Sequence, residues 1–229
     1  MTLQGILFDF NGTLFFDSDM HIYLFQEYHR EHGKPIPSAD FIVANIFGRA
    51  NATILRENFK PDATDEEAEA FSREKESRYR QTCLDHPDRL HLAEGAVALL
   101  DYLKENKIPY ALATGSEWDN MVFFYRYLGL GRWFDESNTV YVNGTFPGKP
   151  APDMYQIAAR KIGLSPSDCL VFEDGTSGIL AANRAKAGAV IAMYEKGLPS
   201  PVTEQVSVCE EQHDFTDWQN TLAKYGLLR

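Results

Sequence analysis

The sequence predicts an α/β protein: a Rossmann-like, mostly parallel sheet with helices on both faces, carrying an inserted α-helical cap. Three observations support this. From about residue 94 onward, short apolar strands alternate with helical segments, the pattern of βαβ units. A lone apolar strand, LQGILFD (3–9), precedes them, and residues 17–91 between the two show no convincing strand. Polar residues suited to chemistry (Asp9, Thr114 and Glu173-Asp174) recur where strands end, and open parallel sheets bind ligands at that end. The expected division is 1–16 with 92–229 as a catalytic core, and 17–91 as the cap.

Each element has its own local reason. SDMHIYLFQEYHREHG (18–33) reads as a helix closed by a glycine, and ATDEEAEAFSREKESRYRQTCLDH (63–86) opens with a capping box from Thr64 to Glu67. EGAVALLDYLKEN (94–106) is helical and leads to the strand PYALAT (109–114). A helix from about Glu117 to Leu128 precedes VYVNGTF, whose Asn143-Gly144 suggests a hairpin turn. PDMYQIAARKI (152–162) is a helix before the strand CLVFED (169–174), and a helix from about Ser177 to Lys186 feeds AVIAMY (189–194).

Composition narrows the function. The 229 residues carry 33 acidic against 22 basic side chains, a net charge of −11. Nucleic acid and anionic membrane both require a basic face, so neither is expected as a partner. No basic patch leads into an apolar run near the start, and no run approaches membrane-spanning length. Cys83, Cys169 and Cys209 are odd in number and widely spaced, as in reduced thiols. The expectation is a cytoplasmic protein, monomeric or weakly dimeric, acting on a small molecule.

Four strand-end loops compete for the ligand site. Asp9 precedes Gly12, which permits a tight turn whose amides suit an anion. Thr114-Gly115-Ser116 offers hydroxyls beside an open backbone, Lys149 in GKPAPDMY a fixed positive charge, and Glu173-Asp174 paired carboxylates suited to a hard divalent cation. Taken singly these read as a turn former, a strand residue, a solvated lysine and a helix cap. Their joint order is what is informative.

DFNGTL (9–14), LATGS (112–116), GKPAPDMY (148–155) and FEDGTSGILAANRAKAG (172–188) together resemble the haloacid dehalogenase superfamily, in its capped phosphatase branch near phosphoglycolate phosphatase and beta-phosphoglucomutase. The likeness spans nearly the whole chain. It implies that Asp9 is a nucleophile forming an aspartyl phosphate, that Thr114 bonds the transferring phosphoryl group with Gly115 and Ser116 beside it, and that Lys149 neutralises its charge. It implies a magnesium ion held by Asp9, Glu173, Asp174 (the more direct of the acid pair) and the backbone carbonyl of Asn11.

Position 11 departs from the pattern. Most phosphatases of the family carry there an Asp that protonates the leaving oxygen; an amide cannot. Positioned acid–base catalysis contributes roughly 10²–10⁴-fold, so a slow or substrate-restricted hydrolase is expected, or one in which Asp17 or His21 takes over the proton. A protein that binds phosphorylated metabolites without turnover, or a beta-phosphoglucomutase-like phosphotransferase, are the alternatives. Dehalogenation needs no metal-binding acid pair, and phosphonate cleavage would want a lysine near Gly48. In the cap, His21 resembles a hinge histidine of the mutase relatives, and Gly48-Arg49 a substrate loop in which Arg49 meets a distal anion or hydroxyl. His29 and His32 read as a solvated helix face, and Phe15, Phe16 and Trp118 as packing aromatics of second rank for the site.

Overall fold

The computed structural model describes residues 2–47 and 49–229. Its centre is the buried strand β1 (Gly5–Phe8), all four residues of which are removed from solvent. Such continuous apolar runs mark strands covered on both faces. Around it, among the described residues, lie β2 (Tyr110–Glu117), β3 (Thr139–Val142), β4 (Cys169–Glu173), β5 (Ala189–Met193) and β6 (Glu210–Gln212), in the order β3-β2-β1-β4-β5-β6. Every adjacent pair is parallel. The chain travels outward from β1 to β3, then returns to place β4 on β1's other side. The switch point therefore falls between β1 and β4, with Phe8 opposite Phe172, and the two rings stack at 5.3 Å.

The chain forms two compact units, 1–16 with 91–229 and 17–90. In the larger unit, α5 (Ala96–Glu105), α6 (Trp118–Tyr127), α7 (Asp153–Lys161), α8 (Thr176–Arg184) and α9 (Trp218–Lys224) accompany the sheet. Met154, Tyr155, Ala158 and Ala159 of α7 are buried at helical spacing with Leu7, Ala113 and Val171 of the sheet. The smaller unit holds α1 (Ser18–Glu31), α2 (Ala39–Asn45), α3 (Asn51–Asn58) and α4 (Asp65–Asp85). The Thr64–Glu67 capping box forms: Glu67 N donates to Thr64 Oγ1 at 3.2 Å and Thr64 N to Glu67 Oε2 at 3.0 Å.

Several local expectations need correcting. Asn143-Gly144 makes a turn, with Gly144 at φ 77° and Asn143 Oδ1 accepting from Thr145 N at 3.1 Å. Among the described residues, however, no strand returns, and β3 pairs in parallel with β2. An Asn-Gly pair specifies a tight turn, not its sequel; Pro147, Pro150 and Pro152 come next and remove the amide donors a returning strand would need. β2 continues to Glu117 instead of ending at Thr114, through a register break between Ala113 and Glu117. His29 is buried, with Nδ1 against Pro35 O at 2.9 Å, so the His29/His32 face is only partly solvated.

Candidate active site

β1 ends where the chemistry begins. Asp9 N donates to Phe172 O at 2.9 Å, which locks the acid to the end of β4. The chain then turns through Gly12 at φ 75°, a conformation that favours glycine. A Cβ there would sit 2.0 Å from Asp174 Oδ2. Glycine is required on both counts, for the turn and for the close approach of the Asp174 carboxylate.

Lys149 joins the two strand ends. Its ammonium donates to Asp9 Oδ1 at 2.5 Å and to Glu173 Oε2 at 2.6 Å. Burial pulls this ammonium's pKa down, but the charges of Asp9 and Glu173 outweigh it and leave the pKa above the ordinary lysine value. Glu173 is 2% exposed and is satisfied on both oxygens. Oε2 accepts from Lys149 and from the Tyr155 hydroxyl, and Oε1 accepts from Gly175 N at 3.1 Å. Gly178, in the first turn of α8, lies directly over it: a Cβ would meet the Glu173 carboxyl carbon at 2.0 Å.

On the other flank, β2 breaks register between Ala113 and Glu117, as at a bulge, and the break carries the polar residues Thr114 and Ser116. Ser116 N donates to Thr114 Oγ1 at 3.1 Å, and Ser116 Oγ donates to Asn11 Oδ1 at 2.7 Å. Thr114 is buried, Ser116 half-buried and Gly115 exposed. Seven of the sequence-predicted residues thus share the C-terminal edge of the sheet: Asp9, Asn11, Thr114, Ser116, Lys149, Glu173 and Asp174, with Gly115 between two of them.

Ligand atoms of Asp9, Glu173 and Asp174 all lie within 4.8 Å of one another. Three hard oxygen donors this close together suit a small divalent cation such as magnesium. Because Glu173 is spent on Lys149, Tyr155 and Gly175, it is better placed to orient Lys149 than to bind directly.

Asp17, His21 and Arg49 belong to the smaller unit, away from this cluster in the chain. Asp17 is buried and accepts from the Tyr79 hydroxyl. His21 Nε2 lies 3.3 Å from the same carboxylate, and its ring stacks on Tyr79 at 4.4 Å. Asp17 is thereby a fixed acceptor inside a helical packing layer. Arg49 is exposed and ion-paired with Glu57, and Gly48 lies outside the described residues. Phe15 is core, packed on Phe10 and Phe124, whereas Trp118 is exposed against Tyr141.

Sequence reasoning missed Tyr155 and Gly178 as parts of the site. Tyr155 closes GKPAPDMY on the buried face of α7, and a glycine inside a helix is itself a sign of close packing; both signals were present.

A family model for haloacid dehalogenase-like hydrolase matches residues 3–186. The fructose-1-phosphate phosphatase YqaB of Escherichia coli is 30% identical over 81% of this chain and 94% of its own. Hexitol phosphatase A of the same organism is 28% identical over 79% of each. Among solved structures, a family IA, variant 3 hydrolase of Entamoeba histolytica superposes with a TM-score of 0.82 at 35% identity, covering 94% of this chain and 95% of that one. A beta-phosphoglucomutase of Clostridium difficile shares the fold, with a TM-score of 0.77 at 18% identity over 99% and 97%. The chain belongs to the haloacid dehalogenase-like hydrolase family.

Proposed function

We propose that the protein is a magnesium-dependent phosphatase that hydrolyses a small phosphorylated metabolite, of the sugar-phosphate kind, through an aspartyl phosphate on Asp9. The observation that carries this reading is the junction at the switch point. One carboxylate, Asp9, is held against a buried ammonium, with a second pair of acids close enough to share a cation. The likeness to a fructose-1-phosphate phosphatase and a hexitol phosphatase supports the substrate class.

Phosphoryl transfer depends mainly on positioning and charge neutralisation. Asp9 would attack phosphorus in line with the leaving oxygen. Lys149, fixed by Glu173, would offset the repulsion between carboxylate and phosphate dianion. Asp9, Asp174 and the Asn11 backbone carbonyl would hold magnesium, which when bound supplies further positive charge at the phosphoryl oxygens. Thr114 and the exposed backbone at Gly115-Ser116 would receive those oxygens. Asn11 has no acid proton to give, so turnover of ordinary alkyl phosphates is slow; Asn11→Asp should raise it at least tenfold. The lid role of the helical unit, the selection of substrate by Arg49 and His21, and a cytoplasmic location belong to the same reading.

Phosphate release from a sugar-phosphate panel, with and without magnesium, tests it. Magnesium-dependent turnover that Asp9→Ala abolishes is expected. Persistent activity in that variant overturns the nucleophile. Tight magnesium-dependent binding without release would instead favour a metabolite sensor, the reading that Asn11 itself keeps in view.

A further inference from the structure

We infer that Trp118 is a specificity residue of the larger unit, its indole a platform for the C–H face of a cyclic sugar monophosphate. The inference rests on the phosphatase reading above. It narrows the substrate class from sugar phosphates in general to those with a closed ring.

Trp118 is 52% exposed, whereas Phe123 and Phe124 of the same helix and Trp133 beyond it are buried. That exposure falls beside the phosphoryl site. Trp118 opens α6 two residues after Ser116, whose hydroxyl donates to Asn11 Oδ1 at 2.7 Å. Two residues of chain span at most about 7 Å, so the indole begins within a sugar's length of that bond. The ground between is open: Gly115 is exposed, and a Cβ there would meet no atom within 4 Å. Tyr141 of β3 lies against the indole, with ring centroids 5.1 Å apart and planes tilted by 40°. The platform is therefore supported before a ligand arrives, which lowers the cost of ordering it on binding.

The neighbouring groups choose the ligand. Glu117 and Asp119 are exposed on either side of Trp118 in the chain. Carboxylates accept hydrogen bonds and donate none, so they suit the hydroxyls on a sugar's rim and repel a second phosphate. A sugar ring carries C–H groups on its faces and hydroxyls at its rim, the complement of an aromatic face set among acceptors. The C–H groups bring partial positive charge to the negative face of the indole. An open-chain polyol phosphate has the same hydroxyls but no flat face, and it loses more rotational freedom when bound.

Glucose 6-phosphate and glucitol 6-phosphate share a primary-alcohol leaving group and differ in the ring, so the ratio of their kcat/KM values with magnesium isolates the platform. The wild type should favour the closed ring. Trp118→Ala should lower that ratio about two- to tenfold, mainly through KM, and Trp118→Phe should restore most of it. A ratio equal in wild type and Trp118→Ala overturns the inference, as does a wild type that prefers the open chain. A larger loss on uridine 5′-phosphate than on glucose 6-phosphate in Trp118→Ala would assign the indole to a base and overturn it too. Dissociation constants for the two sugar phosphates on Asp9→Ala, from titration calorimetry, give the same comparison without turnover. Hydrolysis of both sugars with no response to Trp118 removes this inference alone and leaves the phosphatase reading standing. Absence of any release that depends on Asp9 means that the phosphatase reading has failed, and this inference falls with it.

Discussion

Replacing Gly178 by alanine sets two physical rules against each other. Gly178 lies within α8, where alanine normally gains about 0.5–1 kcal/mol over glycine. The added Cβ, however, would fall 2.0 Å from Glu173 Cδ and 2.2 and 2.3 Å from its two oxygens. A carboxylate at the end of a side chain ordinarily swings aside at little cost. This one is buried and holds bonds from Lys149, Tyr155 and Gly175, and hydrogen bonds to charged groups contribute about 1.5–3 kcal/mol each. Losing two of the three outweighs the helix gain, so Gly178→Ala should destabilise the protein by about 2–5 kcal/mol. That corresponds to a fall in Tm of about 2–4 °C per kcal/mol for a chain of this size. Denaturant melts of wild type, Gly178→Ala, Glu173→Ala and the double variant measure it. In the Glu173→Ala background the clash is gone, and Gly178→Ala should turn neutral or stabilising. A Gly178→Ala protein as stable as wild type would refute the packing reasoning, as would an equal loss in both backgrounds.

Lys149→Met leaves the Asp9 and Glu173 carboxylates facing each other without their shared cation. A cost of about 3–5 kcal/mol is expected from breaking a buried pair, partly recovered by magnesium, together with a fall in turnover of about 10²–10³-fold; urea melts with and without the metal check the first, phosphate release the second. Magnesium itself should stabilise the wild type by RT ln(1 + [L]/Kd), about 2.7 kcal/mol at a hundredfold excess over Kd, and should stabilise Asp174→Asn far less in the same thermal scan. At Asp214, hydrogen bonds from the Thr216 hydroxyl and amide hold the carboxyl below its ordinary value. A depressed pKa stabilises above the unfolded value and is lost as the pH falls through the folded one. Asp214→Asn should therefore be less stable than wild type at pH 7, the gap closing once the solution is more acidic than the usual aspartate pKa of about 3.9.

The strands that carry the site were legible because burial on both faces writes them as continuous apolar runs: GILF in β1, CLVF in β4 and AVIAM in β5. β6 was not legible, since Glu210–Gln212 is a short, half-exposed edge with neither alternation nor an apolar run. The segment after β6 is held by Phe215, buried against Phe8 and Phe172 at 6.2 and 5.1 Å, a long-range contact that no local window contains. Within the site, strand-end position exposed Asp9, Lys149 and the acid pair to reading. The occupations of Tyr155 and Gly178 were hidden because each depends on where Glu173 points. The Ser116–Asn11 bond was hidden for a similar reason: it depends on a break in β2 that LATGS does not announce.

The central claim is that the Asp9 carboxylate takes the phosphoryl group. Acid-quenched protein, sampled during turnover of acetyl phosphate with magnesium and mapped by mass spectrometry, should carry one phosphoryl mass on the peptide containing Asp9, removable by hydroxylamine and absent from Asp9→Ala. Turnover that proceeds with that peptide unmodified in a rapid quench, or with the label on another residue, would contradict the account.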